Sequence, residues 1–223
     1  MDAYPLDEHD LCTVCRESMA NFDACYSFGS FEGTLQKLIH LFKYGKIESL
    51  ALPLSRLLIQ ALPLDEKFDL VLAMPMHWRK QWERGFNQAE LLARPVARRL
   101  RMPLSANLRR ARHTKSQAGL SETERRENLR GSFQVKRPGQ LAGKRILLID
   151  DVFTTGATLR AASAALKKAG AARVSALTLA RVDRRSLGSD FAFHRPGLAL
   201  SRPGLALSRH VAAQRAPAGT APE

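Results

Sequence analysis

The stretch that decides the fold is RILLIDDVFTTGATL, residues 145–159. Residues 146–149 form a short apolar run with β-branched members, which predicts a buried strand of a parallel sheet. The Thr-Thr-Gly segment after it predicts a tight loop, and residues 157–170 predict a helix. We therefore expect Asp150 and Asp151 at the carboxyl end of a strand, just before a loop that begins a helix. Open α/β sheets bind their ligands at that edge.

This loop offers two kinds of binding group. Free N–H groups at a helix N-terminus favour an anion such as phosphate, and the hydroxyls of Thr154, Thr155 and Thr158 add donors. Gly156 allows a ligand to approach the backbone closely. The two carboxylates suit a sugar diol or a metal ion, so the pair of features predicts a ribose 5-phosphate ligand. An ordinary strand-to-helix turn is the alternative, but adjacent acids at a strand end are costly without a partner.

Residues 146–158 resemble the phosphoribosyl-pyrophosphate (PRPP) signature of type I phosphoribosyltransferases. That signature has an apolar run, two acids, an apolar residue, any residue, two Thr or Ser, Gly, any residue, and Thr or Ser. Every position matches in this chain. The match is far more specific than a lone GxGxxG motif, and it implies a PRPP site.

Length and composition are those of one globular domain with appendages. The chain has 223 residues, of which 45% are hydrophobic, enough for one sizeable core. No apolar run reaches the roughly 18 residues of a membrane helix. The acidic N-terminus lacks the basic-then-apolar pattern of a signal peptide. These features predict a cytoplasmic protein without membrane insertion.

Positive charge is concentrated in the middle of the chain. The net charge is +14, and residues 77–145 alone hold 18 Lys and Arg against 5 Asp and Glu, which is +13. Concentrated charge of this kind predicts an anionic partner, either the phosphates of a small substrate or a nucleic-acid backbone. The alternative is a solvated, arginine-rich surface.

A second informative block is MPMHWRKQWERGFNQAELLA, residues 74–93, which follows a predicted strand. A strand-end loop with Pro75, Met76 and Arg79 could present backbone N–H groups and positive charge to pyrophosphate. The N-terminus of a helix that starts at Asn87 would add to that attraction.

The arginines and aromatics of this block each have an alternative interpretation. Arg79 and Arg84 suit bidentate phosphate contacts, but they could also face solvent. Trp78, Trp82 and Phe86 could line a nucleic-acid groove or serve in packing. For Trp82 and Phe86 we favour packing.

A third block, residues 109–133, is basic and has few apolar side chains. It could bury little by itself, so it predicts a mobile loop. Beside two phosphate loops, such a segment could close over the leaving pyrophosphate and exclude water.

Three cysteines, Cys12, Cys15 and Cys25, lie near the N-terminus. In a chain without an export signal, clustered cysteines indicate a metal before a disulfide. A structural zinc site needs four ligands, and His9 would be the fourth in an unusual spacing. Free thiols are the alternative.

Together these blocks resemble the ComF family of phosphoribosyltransferase-like proteins, which is linked to DNA uptake in competent bacteria. The resemblance spans about residues 11–182. Its marks are the cysteine pair, LQKLIHLFKYG at 35–45, the run at 75–93, the run RARHTKSQAGLSETERRENLRGSF at 110–133, and the PRPP signature.

The resemblance implies a parallel sheet of about five strands with helices on both faces. It also implies that Asp150 and Asp151 hold the ribose hydroxyls and Mg²⁺. The other implied contacts are a 5-phosphate loop of Thr154, Thr155, Gly156, Ala157 and Thr158, a pyrophosphate loop of Pro75, Met76 and Arg79 with Arg84 beside it, and a flexible loop with Arg110, Arg112, Thr114 and Gln117.

Two departures from the family pattern shape the expected organisation. Family members usually open with two CxxC pairs, whereas this chain carries only the second, so its zinc site is expected to be incomplete. Pro95 lies inside a predicted helix and should kink it. We predict a truncated zinc-finger-like appendage at 1–33 that ends in a strand or hairpin, a phosphoribosyltransferase domain at 34–183, and a disordered tail at 184–223 that contains the repeat RPGLALS.

The leading hypothesis is a Mg²⁺-dependent phosphoribosyltransferase that displaces pyrophosphate at the ribose C1 carbon. Such chemistry relies on positioning and charge stabilisation, and no nucleophile stands out in the sequence. The second hypothesis is a non-catalytic accessory of DNA import that binds single-stranded DNA or senses PRPP, with the competence machinery as its partner. A third, a base-salvage enzyme, would need a base-recognition loop that we do not identify.

Overall fold

The computed structural model describes residues 22–63, 65–111 and 131–182, without the side chains of Arg79 and Lys80. The strands and α-helices of these residues are, in chain order, β1 (Ala24–Ser30), α1 (Gly33–Tyr44), α2 (Ala51–Gln60), β2 (Leu70–Ala73), α3 (Trp78–Arg84), α4 (Gln88–Leu100), β3 (Leu104–Ser105), β4 (Leu108–Arg110), β5 (Phe133–Val135), β6 (Arg145–Phe153), α5 (Ala157–Lys168) and β7 (Arg173–Arg181).

Five strands form one sheet in the order β1-β7-β6-β2-β3, and every neighbouring pair is parallel. The predicted parallel sheet of about five strands is therefore confirmed. β6 lies at its centre because the four apolar side chains at 146–149 are fully buried and need cover on both faces. β4 and β5 pair antiparallel in a separate two-stranded ribbon.

Helices cover both faces of the sheet, as predicted. Leu147 and Ile149 face one core, which α1, α2 and α4 complete. Ile146 and Leu148 face the other core, built with α5 and with Leu108 and Phe133 of the ribbon. This alternation follows from the two-residue period of a strand. It also sends the next two side chains, Asp150 and Asp151, towards opposite faces.

The N-terminal boundary of the domain lies earlier than predicted. Residues 24–30 were expected in the appendage, yet they form the edge strand β1, paired in parallel with β7. Ala24 and Tyr26 are buried against the first core, so this strand belongs to the sheet. The predicted appendage at 1–21 and the predicted tail at 184–223 lie outside the described residues.

One local prediction also needs correction. Residues 78–84 were expected in a loop and instead form α3. The helix α4 runs from Gln88 to Leu100 with Pro95 inside it, and the kink at Pro95 stays a prediction. None of the helices in the described residues is long and apolar enough to cross a membrane.

Candidate ligand site at the carboxyl edge of the sheet

The acidic pair lies where β2 has ended and β6 continues. The Met74 amide donates to the Ile149 carbonyl at 2.8 Å, so β2 reaches only the level of Ile149. β6 runs on beside β7, with Asp150 opposite Thr178. Asp150 and Asp151 therefore lie at the predicted edge, but within the last four residues of a strand that extends to Phe153.

Asp151 forms a salt bridge with a lysine of α1. Lys43 Nζ lies 2.9 Å from Asp151 Oδ1, and both side chains are only 16% exposed. The Asp151 amide donates to Asp150 Oδ1 at 2.9 Å, so the two acids are directly coupled. Lys43 lies in the last turn of α1, which the first core positions through Ile39 and Phe42.

Asp150 is difficult to ionise in this arrangement. Burial, followed by the charge of Asp151, raises the pKa of Asp150 to about 7, against a lowering by the Asp151 amide, Lys43 and Arg110. The nearby cations, Lys43 and Arg110, therefore do not fully offset the cost of ionising both carboxyl groups. A metal ion or additional donors would complete it.

The loop after β6 has the geometry of an anion cradle. Gly156 has φ +71°, a left-handed conformation that strongly favours glycine, and it is the N-cap of α5. The Ala157 amide lies 3.4 Å from Thr155 Oγ1, and the first turn of α5 carries no acid. All five predicted 5-phosphate residues, 154–158, therefore lie together at a helix N-terminus.

The predicted pyrophosphate loop and one predicted closing residue share a cavity. Pro75, Met76 and Arg110 all line one cleft of about 480 Å³, which Trp78 also lines. Arg110 lies on β4, half-buried, with its guanidinium 5.5 Å from the Phe133 ring centre. Burial lowers the pKa of Arg110 and the charge of Asp150 raises it. The side chain of Arg79 and the residues Arg112, Thr114 and Gln117 lie outside the described part.

The arginine and the aromatic residues of the second block differ in their contacts and exposure. Arg84 lies over the Tyr44 ring, 5.2 Å from its centre, and donates to Gln88 Oε1 at 3.2 Å. Phe86 is buried against Phe42, which confirms its predicted packing role. For Trp82 that prediction is wrong, because the side chain is 85% exposed; Trp78 is 65% exposed.

The sequence reasoning assigned no role to Lys43 and did not single out Gln88. Both are polar residues that continue a buried apolar stripe of their helix. Lys43 follows Ile39 by one turn, and Gln88 precedes Leu92 by one turn. A polar residue at the sheet-facing end of such a stripe was the available signal.

The two carboxylates fit Mg²⁺, which usually takes one or two protein carboxylates together with substrate phosphates. Zinc remains a prediction. Cys12 and Cys15 lie outside the described residues, whereas Cys25 sits half-buried on β1 against the second core. Within 22–63, 65–111 and 131–182, no group of three or more His, Cys, Asp or Glu could hold a metal.

Comparison with known proteins identifies relatives over most of the chain. A family model described as the phosphoribosyl transferase domain matches residues 87–193. Competence protein F of Haemophilus influenzae is 32% identical over 178 residues, which cover 76% of this chain and 78% of that protein. DNA utilization protein YhgH of Escherichia coli (strain K12) is 31% identical, with 78% of each chain covered. Competence protein ComFC of Bacillus subtilis (strain 168) is 40% identical over 120 residues, covering 52% of this chain and 46% of that protein.

Proposed function

The chain belongs to the ComF family of phosphoribosyltransferase-like proteins, and we propose that it binds Mg²⁺ and PRPP and transfers the phosphoribosyl group with release of pyrophosphate. The observation that carries this proposal is one strand–loop–helix unit, residues 145–168, that offers a carboxylate pair and an anion cradle side by side. A sugar diol and a phosphate on the same ligand match those two features. The names of two relatives, Competence protein F and DNA utilization protein YhgH, suggest a role in DNA uptake.

Each part of the site has a distinct task in this proposal. Asp150 and Asp151 bind the ribose hydroxyls, and the amides and hydroxyls of residues 154–158 bind the 5-phosphate. The loop at Pro75 and Met76 faces the pyrophosphate. When bound, Mg²⁺ supplies neutralisation of the charge that develops on pyrophosphate as the bond at C1 breaks. The rate gain then comes from orientation and from fixed charges, without a covalent intermediate.

Two assays test the proposal. Calorimetry with PRPP and Mg²⁺ should show saturable one-to-one binding, and binding should weaken when Mg²⁺ is replaced by a chelator. A pyrophosphate-release assay with a panel of bases and single-stranded DNA then tests for turnover and identifies the acceptor. The absence of PRPP binding in a folded protein would contradict the proposal.

Mg²⁺ affinity is expected to increase with pH up to about pH 7 and to level off above it. Mg²⁺ binds the ionised carboxylate, and burial beside Asp151 raises the pKa of Asp150 to about 7. Each pH unit below that value should therefore weaken binding about tenfold. Mg²⁺ titrations between pH 5.5 and 8.5 measure the slope, and Asp150→Asn is the control in which it should disappear. A wild-type affinity independent of pH would contradict the assignment.

A second candidate function, single-stranded DNA binding, is favoured by two exposed tryptophans. Trp78 and Trp82 lie one turn apart on α3, and they are 65% and 85% exposed. Exposed aromatics amid positive charge are typical of surfaces on which bases stack.

The double substitution Trp78→Ala and Trp82→Ala is expected to weaken binding of a single-stranded oligonucleotide by about 10- to 100-fold. The single variant Trp82→Ala should keep wild-type PRPP affinity, because Trp82 is 85% exposed and does not line the cleft of Pro75, Met76 and Arg110. Fluorescence anisotropy at two salt concentrations measures both the loss and the electrostatic contribution. Leu52→Ala, at another exposed apolar position, is the control. Failure of the wild-type protein to bind DNA at low salt would exclude this function.

A further inference from the structure

Gln88 is a fully buried side chain with only half of its amide satisfied. Its Oε1 accepts from Arg84 Nη1 at 3.2 Å. A guanidinium can only donate, so the amide oxygen must face Arg84 and the NH₂ group must point the other way. Among the described residues, Gln88 Nε2 has no hydrogen-bond acceptor. A buried donor of this kind is costly, which makes it a candidate for contact with a ligand.

The position of Gln88 places it at the edge that holds the acidic pair. Gln88 begins α4, one turn before Leu92 and two turns before Val96, and both of those residues pack in the first core. On the sheet, Leu147 and Ile149 belong to the same core, and Asp151 is the next residue on that face of β6. Gln88 and Asp151 therefore both lie at the carboxyl end of one core.

A chain of contacts links these two residues through α1 and α3. Asp151 contacts Lys43 at 2.9 Å, and the next residue, Tyr44, lies under the guanidinium of Arg84. Arg84 in turn holds Gln88. This chain of contacts brings together two cations, Lys43 (paired with Asp151) and Arg84, and the N-terminus of the 13-residue helix α4, whose first turn also carries Glu90. Positive charge and a free N–H donor together favour an anion with hydrogen-bond acceptors.

We propose that Gln88 Nε2 donates a hydrogen bond to an oxygen of the pyrophosphate group of the substrate, with Lys43 and Arg84 on either side of that group. This inference rests on the proposed function and adds a binding residue that neither the PRPP signature nor the loop at 75–79 supplies. The 5-phosphate already has its own cradle at residues 154–158, so the second anionic group of PRPP is the one that requires these groups.

Three variants and three ligands test the proposal by calorimetry in the presence of Mg²⁺. The variants are Gln88→Leu, Gln88→Glu and, as a matched control at an exposed glutamine, Gln60→Leu. The ligands are PRPP, inorganic pyrophosphate and ribose 5-phosphate. Gln88→Leu is expected to weaken PRPP and pyrophosphate binding by about 10- to 100-fold and to leave ribose 5-phosphate unchanged. Gln88→Glu keeps the acceptor for Arg84 but adds a negative charge, so its loss should be larger.

The melting temperature separates binding from a structural role. Gln88→Leu removes an unsatisfied buried donor but also the acceptor of Arg84, so the free variant should melt near the wild-type temperature while its pyrophosphate affinity falls. A lower melting temperature with equal losses for all three ligands would overturn the inference in favour of a structural role. Wild-type affinity for PRPP in Gln88→Leu would overturn the inference and leave the proposed function intact. A wild-type protein that binds none of the three ligands would overturn both.

Discussion

The double variant Asp150→Asn with Asp151→Asn is expected to lose PRPP affinity by more than about 100-fold. In the proposed complex, each ionised carboxylate accepts charge-assisted hydrogen bonds from the ribose diol, and each such bond contributes about 1.5–3 kcal/mol. Asparagine keeps the size of the side chain but removes the charge that Mg²⁺ and the diol require. Calorimetry with PRPP and Mg²⁺ measures the loss, and Glu48→Gln, an exposed acid on the 3₁₀ turn before α2, is the control. Unchanged affinity would refute the assignment of the acidic pair.

Removal of the acid should also stabilise the free protein. Burial and the charge of Asp151 raise the pKa of Asp150 from 3.8 to about 7, so ionising it in the folded state is unfavourable. The free-energy cost of ionising Asp150 is absent below about pH 4, where the carboxyl is protonated in both the folded and the unfolded state. It reaches its full size above about pH 7, where the carboxyl is ionised in both states. Asp150→Asn should thus be more stable than wild type by about 2–4 kcal/mol at pH 8, and equally stable near pH 4. Thermal unfolding at the two pH values tests this sign, and a variant less stable at pH 8 would contradict it.

The strand, loop and helix that form the site could be predicted because the residues that specify them are adjacent in the sequence. Residues 145–159 contain an apolar run, a turn and a helix start in succession, and the structure gives β6, the loop and α5 in that order. By contrast, the pairing of β1 with β7 joins residues 151 positions apart, as in the hydrogen bond between Ser27 and Thr178. No periodicity within residues 24–30 specifies that partner, so the strand was assigned to the wrong unit.

The site residues in the loop after β6 could be predicted from the sequence, whereas those that the helices α1 and α4 contribute could not. The acids and the threonines are adjacent in sequence, so their chemistry could be combined before the fold was known. Lys43 and Gln88 reach the same edge from α1 and α4 only because the first core aligns those helices with β6. For Trp82 the sequence predicted burial where the structure shows exposure. An aromatic residue in a short helix is packed only if another element covers it, and no element among the described residues covers Trp82.

Lys43→Met is expected to weaken PRPP binding by about 10- to 100-fold at pH 7 and by less at pH 8.5. The methionine keeps an apolar stem but removes the cation 2.9 Å from Asp151. Lys43 also lowers the pKa of Asp150, so its loss moves that pKa higher and leaves more of the site protonated at neutral pH. The loss of PRPP affinity therefore has two causes. One is the lost attraction between the lysine and phosphate, which does not depend on pH in this range. The other is the proton on Asp150 that must leave before the ligand binds, and this cause becomes weaker as pH increases.

The pH dependence is the measurement that distinguishes this role from simple structural support. PRPP titrations of the wild type, Lys43→Met and Lys43→Arg at pH 6.5, 7.5 and 8.5 should give a gap for methionine that narrows with pH, and near wild-type binding for arginine. Lys46→Met is the matched control, because Lys46 lies just beyond α1 and contacts only the Glu83 carbonyl, at 3.4 Å, among the contacts described. A methionine defect of constant size across this range would show that Lys43 acts without influencing the acidic pair. Because Lys43 lies 2.9 Å from Asp151 and lowers the pKa of Asp150, the narrowing gap is the direct consequence of a proton that Asp150 holds more tightly when the lysine is absent.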